Sequence, residues 1–299
     1  MESILVVGTD TVVGANLTAA WTDGGRRVAG VDRNATAAEF VIALDEARRL
    51  AATIRPDRIV YCGAAGESAW SYPAIEAAAE GDLRIWTRIA SDLRCRLTYL
   101  SSDAVFTGPW LFHDEESPHH CQSLEAGRLR TMEEIVARIV PEALIVRTNA
   151  FGWSADGEGW IESLLADLDD GRPNTDPIRH ATPILATDLA GILLRAHEED
   201  LTGPLHVGGA ERISHEAFVR TLGEQFGLTA PAAEPAGTLA APATGFGRGE
   251  TSLRSRRARN VLNLAMPMVA EGLVRLQEQS IDGFRDRLAA TSGELFRVA

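Results

Sequence analysis

Short apolar runs that alternate with longer amphipathic stretches constrain this chain more than any other feature. Residues 4–7 (Ile-Leu-Val-Val) form a continuous apolar run ending at Gly8, as expected of a strand buried on both faces of a parallel sheet. Residues 14–21 then read as a helix closed by Gly24 and Gly25, and residues 27–31 as a strand stopping at Asp32. The pattern repeats, with helices expected at 45–54, 75–93 and 124–140 and strands at 58–62, 96–100 and 144–147. Parallel strands need a helix to return the chain to the same edge. The expected fold is therefore α/β, a Rossmann-type doubly wound parallel sheet with right-handed crossovers.

The second half is less regular. Residues 160–168, 187–197, 214–226 and 267–288 read as helices, with Ser214 as an N-cap. Residues 204–207 read as a short strand. Residues 229–249, rich in Ala, Pro, Gly and Thr, read as a linker or loop. The division expected is a dinucleotide-binding domain over 1–152 and a smaller mixed substrate lobe over 153–299, with some chain crossing between them.

Composition bounds the partners. A net charge of −13 argues against an electrostatic grip on nucleic acid or an anionic membrane. No run approaches the roughly 18 apolar residues of a membrane span, and the apolar start is too short and lacks the basic flank of a targeting leader. Cys62, Cys95 and Cys121 are too far apart for a CxxC site and suit a reducing compartment. The expectation is a soluble cytoplasmic protein with a small-molecule substrate; a homodimer stays open.

The first strand runs into Gly8-Thr9-Asp10-Thr11-Val12-Val13-Gly14. A turn of this kind brings backbone N–H groups and a helix N-terminus to a pyrophosphate. Gly8 and Gly14 have the spacing of the outer glycines of GxxGxxG, with Thr11 in the middle position. A β-branched residue is a poor choice where φ is positive, so Thr11 favours the alternative of a tight turn without ligand. At the end of the second strand, Asp32 could accept bonds from an adenine ribose and favour NAD, while Arg33 could hold a 2′-phosphate and favour NADP.

Further motifs follow in order: Arg55-Pro56-Asp57-Arg58-Ile59-Val60 leading to Gly63-Ala64-Ala65; Ser101-Ser102-Asp103-Ala104-Val105-Phe106-Thr107-Gly108; Arg147-Thr148-Asn149-Ala150-Phe151-Gly152; and Ala181-Thr182-Pro183 with Thr187-Asp188-Leu189-Ala190. Together they resemble the dTDP-4-dehydrorhamnose reductase (RmlD-like) branch of the extended short-chain dehydrogenases. The resemblance covers about residues 3–225, with a looser match near Thr251 to Leu253. It implies a nicotinamide cofactor, NAD or NADP, and a nucleotide-sugar substrate. It places Gly8, Thr11, Val12, Val13, Gly14, Asp32, Arg33, Gly63, Ala64, Ala65, Ser101, Arg130 and Asn149 at the cofactor. Ser102, Val105, Phe106 and His180 fall at the substrate, with Ser102 and Asp103 at the reacting carbonyl.

The chain departs from the family at one point. The family pattern Y-G-x-S-K-x-x-x-E supplies a phenol whose pKa a lysine lowers, so that it can give a proton. Here the stretch from Ala126 to Glu134, aligned through Gly127 and Glu134, puts Ala126 at the tyrosine and Arg130 at the lysine. Alanine has no proton to give, and arginine relays one poorly. Tyr61 and Tyr99 fall in strands and are expected in the core. Tyr72 and Glu67, in the loop after the 58–62 strand, are candidate substitutes. The expected function is thus atypical redox or non-redox chemistry, or else binding or regulation without turnover. An ordinary keto-sugar reductase ranks third. Trp110, Phe112 and His113 precede an acidic stretch that reads as a solvated loop. Trp153 and Trp160 read as core or lid residues. His119-His120-Cys121 carries no metal expectation, since adjacent residues cannot easily converge on one ion.

Overall fold

The computed structural model describes residues 2–33, 40–71, 75–229 and 245–290, with backbone alone at 40–43. Element order is β1 (Ser3–Val7), α1 (Val12–Asp23), β2 (Arg27–Val31), α2 (Phe40–Ile54), β3 (Arg58–Tyr61), α3 (Ala77–Leu93), β4 (Arg96–Ser102), α4 (Leu124–Ile139), β5 (Leu144–Thr148) and β6 (Ala150–Phe151). Then come α5 (Trp160–Asp169), β7 (His180–Ala181), β8 (Ile184–Leu185), α6 (Ala186–Glu198), β9 (Gly203–His206), β10 (Ile213–Ser214), α7 (His215–Phe226), α8 (Arg256–Leu262), α9 (Val269–Gln279) and α10 (Phe284–Ala289).

The main sheet is six-stranded and parallel, in the order β2-β1-β3-β4-β5-β9. Strand order reverses between β1 and β3, and open α/β sheets bind ligands beyond the carboxyl ends of strands at such a point. Alternation along β1 sends Leu5 and Val7 into a core shared with α2, α3 and α4, while Ile4 and Val6 face α1, α6 and α8. The doubly wound sheet read from the apolar runs is therefore present. The second half contributes β9, α6 and α8 to it.

The remaining elements form a smaller lobe with its own core. Phe218 on α7 is its pivot, with ring centroids 5.1 Å from Phe151, 5.5 Å from Trp70 and 5.6 Å from Trp160. Trp70 lies in a short 3-10 turn after β3, so these contacts fix the β3 loop against the lobe. Trp153 is buried, and its indole N–H donates to the Leu276 carbonyl.

Two stretches differ from the sequence reading. The helix expected at 267–288 is broken into α9 and α10, with Gly283 at φ +78° between them. Of the expected 229–249 loop, 230–244 lie outside the described residues. Residues 245–249 are packed: Gly247 accepts a bond from the buried Arg179, and Gly249 accepts one from the His180 N–H. Among the described residues no helix is long and apolar enough to cross a membrane.

Phe218→Ala removes the pivot and leaves a cavity, which costs about 3–5 kcal/mol for a buried aromatic. Urea unfolding should show the midpoint falling accordingly; a change below about 1 kcal/mol would contradict this packing.

Candidate functional site

The carboxyl ends of β1, β3, β4 and β5 deliver Gly8, Gly63, Ser102 and Asn149 to one region. Gly8, at φ +99°, is the position in the glycine loop that demands a positive φ, and a Cβ there would meet the Cys62 carbonyl oxygen at 2.4 Å. Thr11 makes no such demand. Its φ is −102°, and it is the N-cap of α1, accepting from the Gly14 N–H while its hydroxyl donates to the Gly8 carbonyl. The objection raised against Thr11 on conformational grounds is corrected by this geometry.

Three of the groups expected at a dinucleotide are bonded within the chain. Asp32 accepts from the Thr9 hydroxyl at 2.6 Å. Arg33 is held by Asp10, with backbone and guanidinium bonds at 2.8 and 2.7 Å. The Val12 N–H, at the start of α1, donates to the Glu67 carboxyl at 2.9 Å. Burial pushes Glu67 up to about 7, against the lowering effect of that N–H and of Arg33. Val13 is in the core, and Ala64 and Ala65 form a buried 3-10 turn.

At the end of β4 lies a buried polar network. Asp103 is fully buried, and its Oδ2 accepts from the Thr251 hydroxyl at 2.6 Å and from the Asn149 amide at 3.1 Å. Its Oδ1 accepts from the Ser102 hydroxyl at 3.2 Å. Asn149 in turn accepts from the Ser68 hydroxyl at 2.7 Å. Burial pushes Asp103 up to about 6, opposed by the bonds from Thr251, Asn149 and Ser102. Ser102 Oγ also accepts the Ala104 N–H. As folded, the Ser102 proton is thus turned toward Asp103.

Other expected residues are elsewhere. Ser101 donates to Glu133 at 2.6 Å, on the α4 side of β4. Val105 and Phe106 are wholly buried. Phe106 is stacked by His113 at 4.6 Å and by His120 at 5.7 Å, and the Arg147 guanidinium lies 5.0 Å from its ring centre. Neither Val105 nor Phe106 presents a surface to a substrate. His180 is half-buried, and its carbonyl accepts from the Thr251 N–H. Arg130 donates to the Cys121 carbonyl. Tyr72 lies outside the described residues. Glu67 sits at the start of α1 and makes no bond to Ser102. Among the described residues, no group of three or more His, Cys, Asp or Glu could hold a metal ion.

The family model for the RmlD substrate binding domain matches residues 1–280. The chain belongs to the RmlD substrate-binding domain family. No curated protein is significantly similar to it in sequence. Among solved structures it is similar to a dTDP-4-dehydrorhamnose reductase from Bacillus anthracis in complex with NADP, at TM-score 0.77 and 18% identity over 93% of this chain and 99% of that one. A hypothetical dTDP-4-dehydrorhamnose reductase from Sulfolobus tokodaii gives 0.71 and 22%, over 90% and 98%. The Bordetella bronchiseptica enzyme WbmG, in complex with NAD and UDP, gives 0.71 and 18%, over 95% and 96%. At these identities the likeness establishes the fold.

On α4 two adjacent glutamates differ in their surroundings. Glu134 is exposed, and its neighbour Glu133 is the buried acid, in a paired contact with Arg147 at 2.7 and 2.9 Å. If Glu133 holds the pattern's glutamate, Glu125 and Leu129 take the tyrosine and lysine places. Either register lacks both groups, and the chain contains no lysine at any position. The Tyr61 hydroxyl donates to Asp82 at 2.8 Å, and Tyr99 is buried beside it, their ring centroids 6.1 Å apart.

Ser68 and Glu67 gave no signal of these partners in the sequence, being polar residues in a loop. Thr251 carried only a loose motif match, 148 residues from its partner.

Removing Glu133 strands the Arg147 charge in the core. Glu133→Ala should destabilise by about 3–5 kcal/mol, whereas Glu134→Ala should change stability by less than about 0.5 kcal/mol. Urea midpoints of the two variants check this; the reverse ranking would contradict the burial of Glu133 against Arg147.

Proposed function

We propose that this chain binds a nicotinamide dinucleotide and a nucleotide-sugar-like substrate beyond the carboxyl ends of β1, β3 and β4, and lacks the phenol-assisted carbonyl reduction. The observation that carries this reading is the missing acid. The chain has no lysine, and of the two described tyrosines Tyr61 is bonded to Asp82 and Tyr99 is buried beside it in the core. Support for the dinucleotide comes from the family, from fold neighbours that carry NADP or NAD, and from the start of α1. The Val12 N–H already holds an oxyanion there, the Glu67 carboxyl, so the chemistry of that seat suits a phosphate.

When bound, a nicotinamide ring supplies or takes a hydride at a carbon of the substrate. The protein's part is the proton at the substrate oxygen. In this reading Ser102 Oγ–H donates to that oxygen, and Asp103, when protonated, gives its own proton to Ser102 Oγ. Asn149 and Thr251 hold the Asp103 carboxyl in place from its other oxygen. Because burial raises Asp103 to about 6, the donor form is populated below that pH and lost as pH rises through it. Turnover should therefore rise toward acid.

A second reading has its own observation. The Ser102 proton is committed to Asp103, and Asp32, Arg33 and the Val12 N–H are all paired internally. That arrangement suits a binding or regulatory protein without turnover.

The test is hydride transfer from NADH or NADPH to dTDP-4-keto sugars, alongside calorimetric binding. The proposal expects binding, with turnover at least about 100-fold below that of an enzyme holding a positioned acid. Turnover should increase as pH falls through about 6, collapse in Ser102→Ala, and persist in Tyr72→Phe. Fast turnover abolished by Tyr72→Phe would contradict it by restoring a phenol. Binding without turnover at any pH selects the second reading.

A further inference from the structure

An anion seat at a helix N-terminus is normally left to the ligand or to water, and here the chain fills it. Glu67 leaves β3 through the 3-10 turn formed by Ala64 to Gly66 and returns its side chain across the β1 loop to the Val12 N–H, at 2.9 Å. Thr11 makes this approach close, because a Cβ on Gly66 would meet Thr11 Oγ1 at 2.4 Å. Ser68, the next residue, is tied to Asn149, which holds the Glu67 backbone in register with β5. The carboxyl therefore reaches α1 from a fixed base. α1 is 12 residues long and has no acidic residue of its own in its first turn, so Glu67 is the acid that meets its dipole.

We propose that Glu67 is an internal occupant of the pyrophosphate seat, and that a dinucleotide binds only by displacing this carboxyl from the Val12 N–H into solvent. The inference rests on the dinucleotide-binding reading above and names the residue that sets its affinity. One N–H donor at the end of a helix cannot serve both the Glu67 carboxyl oxygen and a phosphate oxygen, and where Glu67 is ionised the two also repel. The neighbouring charges are mixed: Arg33, beyond β2 and held by Asp10, favours an anion there, while Asp10 on the β1 loop and Asp156 after β6 repel a further one.

Displacement has a proton signature. In place, Glu67 is raised by burial to about 7, from an ordinary 4.5. In solvent it returns to the ordinary value. Binding at pH 6 should then release about 0.9 proton, and binding at pH 8 about 0.1. Affinity accordingly rises with pH up to about 7 and flattens above it. The same raised value makes Glu67 a stabilising neutral group at low pH, and that contribution is lost as pH rises through about 7.

The experiment is calorimetry of NAD+ binding at pH 6 and pH 8, in buffers of differing ionisation enthalpy, on the wild type, Glu67→Gln and Glu67→Ala. NAD+ is the probe because its pyrophosphate does not titrate in this range. The proposal expects near-unit proton release at pH 6 in the wild type alone, and binding on the order of tenfold tighter in Glu67→Ala, where the N–H is free. Proton uptake would mean that the carboxyl stays beside the pyrophosphate, and would overturn the displacement. Equal affinity and equal proton release in all three proteins would overturn the occupancy while leaving dinucleotide binding intact. No binding by any of the three, even in Glu67→Ala, would overturn both the inference and the reading on which it rests.

Discussion

The fully buried Asp103 carboxyl joins everything that matters in this molecule. It accepts from Ser102 at the end of β4, from Asn149 just past β5, and from Thr251 in the second half of the chain. Taking a carboxyl out of water is expensive unless its lone pairs are used, so these partners hold it where it is. The same bonds close the smaller lobe onto the sheet. They also decide which way the Ser102 hydrogen points, and so what Ser102 can offer a substrate.

The rest of the site follows a consistent theme of polar groups satisfied from within. Thr9 serves Asp32, Asp10 serves Arg33, and Glu67 serves the Val12 N–H. Buried or half-buried groups of this kind are stable when paired and costly when left alone. A ligand that uses them must replace bonds already made. The chain has no lysine to depress a phenol, and the carboxyl beside Ser102 is one whose pKa burial has raised.

The sheet was legible because strands buried on both faces must be apolar throughout, as residues 4–7 are, and helices between them must carry one apolar face. Glycine's freedom at positive φ made Gly8 legible too. Thr11 was misjudged because its backbone conformation depends on where the turn's positive φ falls, and that is at Gly8. On α4, Glu133 and Glu134 are adjacent and alike in the sequence. Only burial against Arg147 tells them apart. Neither periodicity nor composition could join Thr251 to Asp103, and a loop glutamate such as Glu67 looks solvated until the fold carries it to α1. The long helix expected near the C-terminus stops at Gln279, and a turn ending at the left-handed Gly283 restarts it as α10, a break that the apolar spacing alone does not show.

The account turns on Asp103 being a carboxyl that its surroundings raise to about 6, so that it carries a proton in mildly acid solution. Carbon-detected NMR of the Asp103 side-chain carboxyl, assigned by its loss in Asp103→Asn, measures this directly. The account predicts a titration midpoint near 6. A midpoint at or below the ordinary 3.8 would show a permanently ionised carboxylate with no proton to pass to Ser102, and would contradict it.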